Sequence, residues 1–269
     1  MSDLALITPV DDRVALLPYH VEYYSKLGIR QFVYVVWDLA KNPVTRELKS
    51  SWEAVAPRDA TLHLKPSTSC SYDAYNEPAE VPYLNQARQD LLKDNPDFWY
   101  CIADLDEFYY FGGQTIPDFI HHLKQGQSKA AGAVFHDRVA SDGSFPELPP
   151  HSPGKYQLDA LFPMVADLTK SCGATVTKIA VAAGHVEIRS GHHSARFTKP
   201  SELVTGLVEC HHFKWHAGVT AFLPRRYSAY QSQALSWAKE ATWYQELFKR
   251  PQWQHDPQLR LRQATRLGI

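Results

Sequence analysis

Three acids fall within four positions at Asp104, Asp106 and Glu107, inside the segment WYCIADLDEFYYF of residues 99–111. Trp99 to Ala103 is unbroken and apolar and follows Asn95-Pro96, so it reads as a buried strand. Side chains alternate along a strand, which puts Asp104 and Asp106 on one side. Two carboxylates about 4 Å apart repel by roughly 4 kcal/mol at an effective dielectric near 20. Protonating one of them, or placing a cation between them, relieves that repulsion. Hard divalent cations such as Mg²⁺ or Mn²⁺ prefer oxygen ligands, commonly one or two carboxylates together with substrate phosphates. The plainer alternative is a strand running out into a polar loop, where the acids cap turns or meet Arg and Lys. Their place at the end of an apolar strand suits a metal site at the carboxyl edge of an open α/β sheet.

A second cluster is HHFKWH, residues 211–216. Strand alternation groups His212, Lys214 and His216 on one face and His211, Phe213 and Trp215 on the other. Such a face could complete a metal shell and hold phosphate, Lys214 acting as a point charge; the alternative is a half-buried strand with exposed histidines. His212 and His216 also have the spacing of zinc ligands on a helix, but H-E-x-x-H is absent. A transfer reaction needs a group to take the acceptor's proton. Asp137, just after the apolar run AGAVF, is the first candidate and Glu107 the second; Asp137 could equally be a loop residue pairing Arg138. His192 and His193 follow Gly191 in an expected loop and either line the acceptor side or lie on the surface.

The elements that must position these residues alternate. Strands are expected at Leu4–Val10, Gln31–Trp37 and Ala60–Lys65, and helices at Leu17–Leu27, Thr45–Val55 and Tyr83–Asp94, before the acidic strand. This β-α-β-α-β-α-β order predicts a parallel sheet with right-handed crossovers. Asp12, Asp38 and Asp104 then mark the ends of its strands. Farther on, the pattern gives a helix at Ile116–Lys124, strands at Ala131–Phe135, Thr177–Val181, Val186–Arg189 and Leu207–Trp215, and helices from Leu223 onward. Residues 66–82 and 141–156 are rich in proline and polar side chains and are expected to be long loops. No G-x-G-x-x-G or G-x-x-x-x-G-K-[ST] occurs, which disfavours a dinucleotide fold or a P-loop.

Composition agrees with a globular enzyme. The 269 residues are 44% hydrophobic and 21% charged, enough for a sizeable core. A net charge of −1, from 28 basic and 29 acidic residues, gives no support for nucleic-acid binding. The four cysteines are widely spaced with no C-x-x-C pair, so a disulfide framework and a zinc ribbon are both disfavoured and a reducing compartment is expected. The N-terminus lacks a basic n-region and no apolar run is long enough to span a bilayer, so a cytoplasmic location is expected. From Lys249 to Ile269 five basic residues face one acid, near Trp253, with Trp243 and Phe248 just upstream. That tail could rest on anionic lipid or pack onto the rest of the chain.

Four segments, taken in order, resemble the GT-A-fold glycosyltransferases of the family 2-like group with a D-x-D-E-F metal motif. They are LITPVDDRVALLPYHVEYYSKLGIRQFVYVVWD, ADLDEF at 103–108, TKIAVAAGHVEIRSGHHS at 177–194 and CHHFKWHAGVTAFLPRR at 210–226. The turn Leu39-Ala40-Lys41-Asn42 departs from the group's Asn/Ser-rich pattern. The resemblance implies a mainly parallel α/β sheet flanked by helices, over residues 1–222, in a nucleotide-binding half (1–111) and an acceptor half (112–222), with a helical extension at 223–269. It implies a UDP- or GDP-linked sugar donor, a glycan, lipid-linked or small-molecule acceptor, and Mn²⁺ or Mg²⁺ as cofactor. Asp104 and Asp106 would be metal ligands, with His212 the third. Pro9, Asp12, Asp38, Asp104 and Lys214 would contact the nucleotide sugar. A phosphoesterase or nucleotidyltransferase using the same acids, or a non-catalytic carbohydrate-binding protein, are the rival readings.

Overall fold

The structure, a computed structural model, describes residues 3–10, 14–37, 44–67, 77–152, 155, 157–197, 199–232 and 238–269. It divides into two units: a first built on the chain up to Val134 together with Thr177–Cys210, and a second built on Phe135–Val176 and His211–Ile269. The sequence-expected boundary at residue 222 falls inside a helix of the second unit, Val219–Ser232.

The first unit is a mainly parallel α/β sheet flanked by helices. Its elements begin β1 (Leu4–Val10), α1 (Leu17–Lys26), β2 (Gln31–Trp37), α2 (Val44–Val55), β3 (Thr61–Ser67), α3 (Glu77–Asp94) and β4 (Trp99–Ile102). β1 pairs in parallel with β2 and with β4, and β2 with β3, so the order is β4-β1-β2-β3. The runs LALITPV and WYCI are apolar along their length because helices cover both faces of such a sheet. α1 carries Pro18 in its first turn, where no N–H is needed, and is followed by Gly28 at φ +97°, the left-handed stop expected from sequence. α3 starts at Glu77, six residues earlier than the periodicity suggests. Pro78 reads as a loop signal in the sequence, yet it occupies the first turn, where proline is tolerated.

Beyond β4 the chain makes β5 (Glu107–Tyr110) and α4 (Ile116–Gln125), and enters β6 (Ala130–Val139). Thr115 caps α4 by accepting from the Asp118 N–H. In the second unit come α5 (Gln157–Leu161), β7 (Met164–Ala166) and α6 (Leu168–Ser171). The chain returns to the first unit for β8 (Thr177–Ala183), which adds antiparallel to β4 and to the start of β6. β9 (Leu203–His212) follows and pairs with β5. The expected strand at Val186–Arg189 is a single bridge between Ile188 and Ala195. The last elements are α7 (Val219–Ser232), α8 (Ala238–Phe248) and β10 (Arg262–Gln263).

In the second unit β10 pairs with β7, and β7 with the end of β6, all antiparallel. Its core gathers Trp215, Val219, Leu223, Tyr244, Leu247, Trp253 and Leu259 over this short sheet. Trp253 is buried and Phe248 packs against the same core, so these aromatics of the tail are packing residues here.

Candidate functional site

β4 ends at Ile102, and Asp104 to Asp106 form the turn that leads into β5. The alternation expected for these acids therefore does not apply; the turn itself sets their directions. The turn is closed twice: the Glu107 N–H donates to the Asp104 carbonyl at 3.0 Å, and the Asp104 N–H donates to Glu107 Oε2 at 3.1 Å. Asp104 and Asp106 are partly exposed, whereas Glu107 is 1% exposed.

Lys178, on β8, holds this turn. Its Nζ lies 2.9 Å from Glu107 Oε1 and 3.2 Å from Asp104 Oδ2, and the residue is buried. Burial alone would lower the ammonium's pKa, but the two carboxylates reverse this and raise it above the usual lysine value. Burial likewise pushes the Asp104 carboxyl up, and Lys178 overcomes this and holds it below the ordinary carboxylate range.

Two buried imidazoles and two hydroxyls lie in the same unit. The His192 Nδ1 is 3.8 Å from Asp104 Oδ1, too far for a hydrogen bond, and its backbone is left-handed at φ +56°, directly after Gly191 at +68°. His20, on α1, is enclosed by the rings of Tyr24, Tyr34 and Phe108. Among the described residues, neither ring nitrogen of His20 or of His192 has a hydrogen-bond partner of standard geometry, nor do Thr8 Oγ1 and the Tyr34 hydroxyl. Thr8 and Tyr34 are register partners on β1 and β2. Burial drives the pKa of His20 down to about 3 against the opposing pull of Asp106 and Asp104, and that of His192 to about 3 with Lys178 adding to the effect. Both rings are neutral. His193 is placed differently from His192: its Nδ1 is 2.6 Å from the Thr177 carbonyl.

The second unit contains Asp137, which lies within β6 and not in a loop after it. It is 1% exposed. Its Oδ2 accepts from the Thr169 N–H at 2.7 Å; its Oδ1 accepts from Thr169 Oγ1 at 3.0 Å, Trp215 Nε1 at 3.0 Å and His212 Nδ1 at 3.1 Å. Burial raises this carboxyl, and the His212 and Thr169 contacts outweigh it and lower the pKa. A carboxylate serving four donors is poorly available to a substrate proton. Glu107 is in a similar position, bonded to Lys178, the Asp104 N–H and, at 3.4 Å, the Tyr109 hydroxyl. Both carboxylates that the sequence offers as bases are thus engaged by donors of the protein itself.

β9 ends at His212, so the expected strand face shared by His212, Lys214 and His216 does not form. Lys214 is buried, over the rings of Trp215 at 4.9 Å and Tyr244 at 5.0 Å, with Glu240 Oε1 at 3.8 Å. Pro9 lies in β1 opposite Val35. Asp12 and Asp38 lie outside the described residues. Among the described residues, no group of three or more His, Cys, Asp or Glu side chains stands ready to hold a metal ion. The donor set at the turn, Asp104 and Asp106, fits a hard cation completed by phosphate oxygens and water, not a cage made by the protein alone.

Sequence reasoning missed His20 and the pairing of Lys178. The signal for Lys178 was present: a lone charge in the apolar run TKIAVAA requires a buried counter-charge. His20 had no such signal, being one polar residue on a helix.

In sequence the chain matches no protein-family model and no curated protein. Among solved structures it is similar to HddC from Yersinia pseudotuberculosis, with 9% identity over 51% of this chain and a TM-score of 0.30. The chain spans 59% of that neighbour's length. It is similar to a 4-diphosphocytidyl-2C-methyl-D-erythritol synthase, with 9% identity, 67% of this chain and 72% of the other covered, and a TM-score of 0.31. It is also similar to TarS from S. aureus, with 11% identity, 88% and 68% covered, and a TM-score of 0.35. Likenesses this loose assign no activity, and the reading of function rests on the site.

Proposed function

We propose that the first unit binds the nucleoside-diphosphate part of a nucleotide sugar and that the chain transfers the sugar to a hydroxyl of a glycan, lipid-linked or small-molecule acceptor. One observation carries the reading. β2 and β3 extend the sheet from one side of β1, and β4 joins its other side, so the order reverses between β1 and β4. Ligands of open α/β sheets bind at such a switch point, outside the carboxyl ends of the strands. The turn bearing Asp104 and Asp106 follows the carboxyl end of β4 at that point.

Breaking a sugar–diphosphate bond leaves charge on the departing oxygens. Asp104 and Asp106 would hold Mn²⁺ or Mg²⁺ there, and the ion, when bound, supplies Lewis-acid stabilisation of that charge. Lys178 and Glu107 fix the turn's shape, so that Asp104 needs no rearrangement to meet its ligand.

The same turn would serve a nucleotidyltransferase, and products separate the two. Thermal-shift screening of UDP- and GDP-sugars with Mn²⁺ is expected to identify a stabilising donor. Incubating that donor with acceptor mixtures is expected to release the nucleoside diphosphate. Pyrophosphate release from a nucleoside triphosphate and a sugar phosphate, with no turnover of any nucleotide sugar, would overturn the proposal.

A further inference from the structure

We propose that His192 is a positioning residue for Asp104: it donates from Nδ1 to Asp104 Oδ1 and so sets the carboxylate's direction toward the divalent cation. The inference deepens the proposed function and rests on that reading only in placing a cation at Asp104. All the groups it uses belong to the first unit.

It starts from a polar side chain that packing alone does not call for. His192 is buried, and among the described residues neither of its ring nitrogens has a hydrogen-bond partner of standard geometry. Burying an imidazole unpaired forfeits its hydrogen bonds to water, whereas an apolar side chain of similar size would fill the space without that loss. The backbone adds to the cost: Gly191 and His192 are both left-handed, at φ +68° and +56°, a conformation uncommon for residues with a β-carbon. The segment is nevertheless firmly held. The His192 N–H donates to the Arg189 carbonyl at 3.0 Å, and the Arg189 N–H to the Ser194 carbonyl at 2.9 Å. Asn85, on α3, donates to the Ile188 carbonyl at 3.0 Å and accepts from the Ile188 N–H at 3.3 Å. These bonds deliver the imidazole to a fixed place beside the acidic turn.

At that place the ring completes a set. Asp104 Oδ2 lies 3.2 Å from Lys178 Nζ, and Asp104 Oδ1 lies 3.8 Å from His192 Nδ1. A direct bond needs the second gap to shorten by about 1 Å, to the roughly 2.7–2.9 Å of a charge-assisted N–H···O⁻ contact. The carboxylate is the member that can move, since its side chain is 37% exposed and that of His192 only 3%. An ionised carboxylate only accepts, so Nδ1 must carry the hydrogen of the neutral ring. Lys178 and His192 then fix one oxygen each and leave the outward lone pairs for the cation. Carboxylates that bind metal ions are commonly oriented by such outer hydrogen bonds. Direct ligation of the cation by Nδ1 would demand the opposite tautomer, with the hydrogen on Nε2.

Two measurements on the full chain give the test. Long-range ¹H–¹⁵N spectra, with the His192 signals assigned by their loss in His192→Asn, are expected to show the Nδ1–H tautomer. Its proton should move downfield when Mg²⁺ and UDP or GDP are added. Mn²⁺ titration in the presence of the same nucleotide is expected to give an affinity about 10–100-fold lower in His192→Leu, the usual loss when an outer partner of a metal ligand is removed. His192→Asn should recover most of it, because its amide N–H can stand where Nδ1 stood and asparagine accepts a left-handed backbone. An Nε2–H ring in the wild type overturns the inference, and so does an Nδ1 proton that ignores Mg²⁺; the spectra decide even if a variant fails to fold. Mn²⁺ affinity unchanged in His192→Leu, or lost equally in His192→Leu and His192→Asn, also overturns it and makes the ring a packing group. Failure of the transferase reading looks different. A wild-type chain that binds no Mn²⁺ with either nucleotide removes both proposals, whereas cation and nucleotide binding without sugar transfer removes the transferase reading and leaves the results on His192 standing.

Discussion

Lys178 is buried between Glu107 at 2.9 Å and Asp104 at 3.2 Å, and removing it would leave two carboxylates without their cation. Breaking a buried ion pair from one side typically costs about 3–5 kcal/mol. Lys178→Met is expected to lose stability on that scale in urea unfolding, and adding Glu107→Gln to recover much of the loss. Equal losses in the single and double variants would mean that Lys178 acts by packing alone. A second expectation concerns acid. His20 and His192 are neutral in the fold, with pKa values near 3, while an unfolded histidine titrates near 6.5. Between those values the unfolded chain binds the extra protons, so stability is fully present above about pH 6.5 and falls as pH drops toward 3. Each ring contributes a slope of about 1.4 kcal/mol per pH unit within the window. His20→Phe should remove one of the two slopes in unfolding measured from pH 7 to 4; an unchanged slope would show that His20 is not buried as a neutral ring. At this scale the carboxylates were legible in the sequence because an acidic triplet interrupts an apolar run. Their partners were not, because Lys178 and His192 lie more than 70 residues away along the chain, at separations of 74 and 88 positions from Asp104.

Among the elements, β1, β2 and β4 follow their apolar runs closely, since strands covered on both faces show no alternation to misread. β5 escaped the sequence because the run YCIADLDEFYYF is continuous except at the turn that divides it. β6 continues through His136, Asp137 and Arg138, polar residues that suggest a loop but are held by the second unit. Arg138 there bonds the carbonyls of Phe162 at 2.7 Å and Thr265 at 2.9 Å and Asp159 Oδ1 at 2.8 Å. Asp159 Oδ2 in turn accepts from the backbone N–H of Leu267 at 2.9 Å and Gly268 at 2.7 Å. The last residues are thereby tied into the second unit, which explains why a polar, basic tail is ordered past α8. Asp159→Ala strips the counter-charge from buried Arg138 and should cost about 3–5 kcal/mol. In hydrogen exchange the amides of Leu267 and Gly268 should lose their protection before the α8 amides do. Protection that survives the substitution would mean that the β10–β7 pairing alone holds the tail.

At the scale of the molecule, the alternation of strands and helices foretold the first unit, and the second was obscured by its short elements. α5, β7 and α6 have five, three and four residues, too few to show a period. Among the described residues no helix is long and apolar enough to cross a membrane. Of the aromatics that could have faced lipid, Trp253 belongs to the second unit's core, and Trp243 and Phe248 pack against it. The acidic turn at the switch point of the first unit is proposed to bind a nucleoside diphosphate through a divalent cation. Titration calorimetry of UDP and GDP into the full chain, with and without Mn²⁺, tests it most directly, with Asp106→Asn as the comparison. One nucleotide is expected to bind at least about tenfold tighter with Mn²⁺, a gain of about 1.4 kcal/mol, and Asp106→Asn to lose that gain while its circular dichroism stays native. Affinities that ignore Mn²⁺, or a gain that survives Asp106→Asn, would contradict it.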